Sequence, residues 1–122
     1  MTQRATHLST RIDVDGGISS VRVSGSLDVA SQRPFAAALD AVFDTDPDAI
    51  VLDLGEVDFL GSSGVASLIN ARHRAARLGI PFAVVADNHG VLRSLRMSQV
   101  DTALPLHPTV RAAVTAVRPA ST

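Results

Sequence analysis

Apolar positions along the chain follow two rhythms that take turns. Between Leu8 and Val14 the alternation has period two, with Leu8, Thr10, Ile12 and Val14 on one side, which predicts a strand. Asp15-Gly16-Gly17 comes next, a hairpin signal because glycines accept the positive φ angles of a tight turn. Ile18, Val21 and Val23 predict a second, antiparallel strand ending at Gly25. The rhythm then changes. Phe35, Ala38, Leu39, Val42 and Phe43 recur at helical spacing, with Ser31 as a cap, Pro34 in the first turn and Asp46-Pro47 as the stop.

The second half repeats the exchange. Ile50, Val51, Leu52 and Leu54 form a nearly continuous apolar run, expected of a strand buried on both faces, and strand-like residues persist to Phe59 and Leu60. Val65, Leu68, Ile69, Ala75, Ala76 and Leu78 predict a helix that Gly79 ends. "IPFAVVA" is a further buried strand. "HGVLRSLRM" is a short helix carrying Val91, Leu92, Leu95 and Met97, and "ALPLH" is a brief strand. Pro108 opens a last helix with Val110, Ala113, Val114 and Val117 on one side. The order ββαβαβαβα predicts an α/β fold: a mixed, mostly parallel sheet of about five strands with about four crossover and flanking helices. One domain is expected over residues 1–122, with its core at about 8–117 and frayed ends.

Composition narrows the function. Aromatics are 3% of the chain, with no Trp or Tyr, so the stacking platforms of single-strand nucleic-acid binding are missing. The net charge of −1 offers no broad attraction to nucleic acid or an anionic membrane. Without cysteine there is no disulfide, thiolate zinc site or thiol catalysis. No apolar stretch is long enough to span a bilayer and no secretory signal pattern opens the chain, so a cytoplasmic location is expected.

The unusual chemistry lies at "DFLGSSGVASL", where Ser62 and Ser63 stand between Gly61 and Gly64 at a strand-to-helix junction. Two readings are open. The serines cap the helix through their hydroxyls, with the glycines making the turn. Alternatively, a serine is displayed for modification at a helix end that welcomes phosphate. A nucleophile elbow needs G-x-S-x-G, but these glycines are too close, and His7, His73, His89 and His107 are scattered without a base-and-acid pattern. The G-x-x-G spelling of a KH loop lacks its helical context and its cations. There is no phosphate-cradling loop and no metal-ligand spacing, so no cofactor, metal or catalytic residue is assigned. Arg72 lies beside the apolar stripe of its helix, where its stem can cover core edge and its head can meet a carboxylate, while Arg74 and Arg77 read as solvated. Asp28 reads as a turn former and Asp53 as a partner of backbone groups.

Three stretches, "VRVSGSLDVAS", "AIVLDLGEVDFLGSSGVASLINARHRAARLG" and "VLRSLRMSQVDTALPLHPTVRAAV", together resemble the STAS domain, specifically the bacterial anti-sigma factor antagonists. The match runs from about Leu8 to Val117, through a G-x-L-D turn at Gly25 to Asp28 and a long motif from Asp53 to Gly64. Gly61 stands where that family usually has Asp, and Ser26 where it often has Glu. The resemblance implies a non-enzymatic regulator whose partner is an anti-sigma factor that is also a serine kinase. Binding frees the sigma factor, phosphorylation of Ser62 rather than Ser63 ends the binding, and a phosphatase restores it. The implied contact residues are Asp28, Ser62, Ser63, Gly64, Ser67, Asn70 and Arg74. No nucleic acid or membrane insertion is implied, and the state is monomer or weak dimer. The other reading is a STAS subunit of a transporter or signalling assembly that binds without being phosphorylated.

Overall fold

The structure, a computed structural model, describes residues 8–100 and 103–118. Strands β1 (Ser9–Asp15), β2 (Ile18–Leu27), β3 (Ala49–Leu60), β4 (Phe82–Val85) and β5 (Leu106–His107) form one sheet in the order β1-β2-β3-β4-β5. β1 and β2 are antiparallel across a turn in which Gly16 and Gly17 both take positive φ, 58° and 82°. The remaining pairs are parallel, so each needs a crossover helix. These are α1 (Gln32–Asp44), α2 (Ser62–Leu78) and α3 (His89–Met97), and α4 (Val110–Val117) closes the order. The expected ββαβαβαβα succession and mixed sheet are both present.

Crossovers that advance in one direction with one hand place their helices on one face of a sheet. Here Leu39 of α1, Leu68 of α2 and Leu95 of α3 pack with Ile50, Leu52 and Leu54 of β3 in the larger core. The intervening residues Ala49 and Val51 face the other way, joining Ile18, Ala83, Val85, Ala113 and Val117 beneath α4. That two-sided burial is why β3 opens as an unbroken apolar run.

Several local signals act as expected. Asp46 takes a left-handed φ of 55° just beyond α1, and Pro47 follows. Gly79 takes φ 69° at the end of α2, while the Ile80 amide donates back to the Ala75 carbonyl at 2.9 Å. Others differ. β2 runs past Gly25 to Leu27 through register shifts at Arg22/Ser24 and Gly25/Ser26, which erase the alternation there. Met97 is 74% exposed, because Val91 and Leu95 define the buried stripe of α3 and position 97 falls off it. The brief strand shrinks to Leu106–His107, and Thr109 rather than Pro108 caps α4, accepting from the Ala112 amide at 3.1 Å.

Candidate functional site

β2 and β3 are parallel and end level with one another, Leu27 beside Leu60. Whatever follows each strand must therefore emerge at the same end of the sheet. After β2 comes Asp28 and a single 3-10 turn, Val29–Ser31; after β3 come Gly61 and the start of α2. The Gly61 amide donates to the Leu27 carbonyl at 2.8 Å, extending the strand pairing into the loops.

The Asp28 turn is held from within. Its carboxylate accepts from the Ser31 amide at 3.2 Å, and its own amide donates to the Ser31 hydroxyl at 3.0 Å. That hydroxyl donates in turn to the Ser26 carbonyl at 2.6 Å. Ser31 thus stands at the start of α1 without capping it, contrary to the sequence reading, because its oxygen is used by the preceding turn. Asp53 serves the backbone as expected, accepting from the Gly55 amide at 2.9 Å, and it also lies 3.7 Å from the Arg22 guanidinium.

The serine loop settles one of its two readings. Gly61, not a serine, is the N-cap of α2, with extended backbone at φ −87°, ψ 176°. Ser62 and Ser63 are already in the first helical turn, and the first helical bond runs from the Val65 amide to the Gly61 carbonyl at 3.0 Å. Among the described residues neither hydroxyl makes a hydrogen bond. Ser62 is exposed and Ser63 half-buried. The serines do not cap the helix; they stand on its opening turn, where the amides of Ser62, Ser63 and Gly64 have no intrahelical partner.

Gly64 is buried. Its reason is space: a Cβ there would stand 2.5 Å from the Leu27 carbonyl oxygen and 2.8 Å from Leu60 Cδ1. Its absent side chain lets α2 close onto β2, so Gly64 positions the site from beneath. Gly61 differs, since a Cβ there would come no nearer than 3.2 Å to Phe59 Cε2, 3.6 Å to Asp28 Cβ and 3.7 Å to the Leu27 carbonyl oxygen.

Along α2, Ser63, Ser67, Asn70 and Arg74 share one stripe, with the Ser67 hydroxyl donating to the Ser63 carbonyl at 3.0 Å. Ser67, Asn70 and Arg74 line an open groove of about 210 Å³ against α1, opposite Phe35, Leu39 and Asp40. Arg74 crosses this groove. Its guanidinium lies 4.3 Å from the Phe43 ring centroid and 2.6 Å from the Asp40 carboxylate. The role expected of Arg72 belongs to Arg74, because the neighbouring helix α1 lies on that side; Arg72 is exposed. Among the described histidines, His73 and His89 are exposed and no cluster suited to a metal forms; His7 lies outside the described residues.

Two residues escaped the sequence reading. Val29 is 75% and Phe59 is 55% exposed, both at this end of the sheet. Beyond Asp53, β3 has no β4 partner, and Val57 and Leu60 supply its inward contacts, which leaves Phe59 outward. The spacing of Val57 and Leu60 was the available signal. Val29 and Phe59 are thus exposed apolar residues at the end of the sheet that carries the Asp28 turn and the start of α2.

The same fold recurs in known proteins. The STAS domain model matches residues 9–113. The chain is 28% identical over 102 residues to the anti-sigma-F factor antagonist RsfB of Mycobacterium tuberculosis, covering 84% of this chain and 83% of that one. The crystal structure of an anti-sigma factor antagonist from Mycobacterium paratuberculosis superposes with TM-score 0.87 at 32% identity, covering 97% of this chain and 100% of that chain. The anti-sigma factor antagonist SpoIIAA in its unphosphorylated form shares the fold, at TM-score 0.75 and 16% identity over 93% of this chain and 100% of that one.

Proposed function

The chain belongs to the STAS domain family, and on that premise we propose that it is an anti-sigma factor antagonist working by partner switching. It binds an anti-sigma factor of the serine-kinase type through the end of the sheet that carries Asp28 and Ser62, and binding releases the sigma factor. Phosphorylation of Ser62 by that kinase ends the interaction, and a phosphatase restores it. The protein itself is a binding module and not an enzyme.

The observation that carries this reading is the juxtaposition of Asp28 and Ser62, joined by the Gly61-to-Leu27 hydrogen bond and bordered by exposed Val29 and Phe59. A hydroxyl on the first turn of a helix is open to a kinase. Phosphate there adds about −1.5 to −2 charges where unpaired amides and the helix dipole tolerate them. The free protein therefore keeps its fold. In the complex the same charge enters a contact built around a small neutral group and an apolar rim. Burying it unpaired costs several kcal/mol, at roughly 1.4 kcal/mol per tenfold in affinity.

Titration against the cognate anti-sigma factor tests this. Ser62→Ala should bind as the wild type does, and Ser62→Asp should bind at least about tenfold more weakly while melting at the same temperature. Incubation with the kinase and ATP should place one phosphate on Ser62, read by mass spectrometry. Unchanged affinity of the Asp variant, together with no phosphate on either serine, would leave a STAS module that is not switched at this loop.

A further inference from the structure

The other end of the strand order carries its own information. β1 is an edge strand whose seven residues, Ser9–Asp15, are all exposed. Among the described residues nothing pairs with its outer side. An edge of this length is a template for another strand. Its charges do not suit the strand it already has: Arg11 sits directly opposite Arg22, a like-charge pair, and Asp13 faces Ser20. Arg22 lies near Asp53, but among the described residues Arg11 and Asp13 have no ion-pair partner.

We propose that β1 pairs antiparallel with β1 of a second copy, around a two-fold axis at Ile12 perpendicular to the sheet. Such an axis keeps equivalent faces of the two sheets on one side. Only residues of like facing can then stand opposite each other, so the strand can shift only in steps of two. Centred on Ile12, the ladder uses all of β1. Arg11 meets Asp13 of the second copy, Asp13 meets its Arg11, Thr10 meets Val14, and Ile12 meets Ile12. Ile12, 42% exposed, then covers its own copy, with Val14, 66% exposed, diagonal to it across the ladder. Centred on Arg11 the ladder is shorter and sets Arg against Arg; centred on Asp13 it is shorter and, though Arg11 then meets Asp15, it sets Asp against Asp at the axis. Full overlap and opposite-charge pairing coincide in one register.

The interface is small, so the dimer is reversible and concentration-dependent. The same axis turns one sheet end for end relative to the other. The two Asp28–Ser62 surfaces then lie at opposite ends of one continuous sheet, and the dimer is bivalent.

Sedimentation equilibrium from about 10 µM to about 1 mM, the range in which small interfaces associate, should show a monomer–dimer equilibrium. Arg11→Asp sets acid against acid across the axis and should raise the dissociation constant at least about tenfold. The monomer should keep its melting temperature, since the new carboxylate faces Arg22. Adding Asp13→Arg to Arg11→Asp restores opposite charges and should restore the dimer. A wild type that stays monomeric throughout the range overturns the proposal. So does a dimer indifferent to Arg11→Asp, or a double variant no tighter than the single one.

Discussion

Leu68→Ala lowers the unfolding free energy by about 2–5 kcal/mol, the range for a large buried aliphatic cut back to alanine. Leu68 is fully buried on α2 within the larger core. The sheet beneath it and the helices α1 and α3 beside it are tied into the fold by the crossovers, so the cavity has few ways to collapse. The cost therefore belongs well inside that range rather than at its lower edge. A urea titration reads the effect as a lower midpoint at unchanged slope. A midpoint equal to that of the wild type would mean that Leu68 does not face the sheet.

Gly64→Ala destabilises the fold by about 1–3 kcal/mol, the usual cost of overpacking, even though alanine is the better helix former by about 1 kcal/mol. The sign is decided by what the new methyl meets. Its nearest neighbour, at 2.5 Å, is the Leu27 carbonyl oxygen, and a backbone atom in β2 cannot rotate aside as a side chain can. Relief requires α2 to lift from the strand. That movement would also lift Ser62 away from Asp28, so partner affinity falls along with stability. Gly61→Ala is the control. Its methyl would press only on the exposed Phe59 ring, at 3.2 Å, with the Asp28 side chain and the Leu27 carbonyl at ordinary contact distance, and its backbone is extended, so the fold should tolerate it. Equal melting temperatures for the two alanine variants would contradict the close approach at Gly64.

Much of the architecture was legible because strand and helix periods differ and because the breaks carry their own chemistry. Gly16-Gly17, Asp46-Pro47 and Gly79 each mark a place where the chain must take a conformation that few residues accept. What stayed hidden depends on neighbours distant in sequence. Arg72 and Arg74 look alike until α1 lies alongside, and then only Arg74 has Asp40 and Phe43 within reach. Ser31 matches a helix cap in every local respect, and it is the turn at Asp28 that takes its hydroxyl. The final residues of β2 were lost to two register shifts, which no alternation survives. For the site, pattern alone gave two serines between glycines and a separate acidic turn. Their adjacency was implied by family resemblance and is supplied physically by the level ends of β2 and β3.

Helix α4 is attached differently from the other three. It is eight residues long and rests on the back of the sheet through buried Ala113 and Val117, with Val114 partly covered. A buried valine contributes about 1.5–3 kcal/mol, and releasing a short helix returns conformational entropy at about 1–2 kcal/mol per residue. The helices on the front share one large core, whereas α4 covers a smaller one of its own. The residues α4 would uncover, Val51, Ala83 and Val85 among them, belong to the back of the central strands, away from Asp28 and Ser62. The end of the sheet that carries Asp28 and Ser62 therefore owes none of its packing to α4.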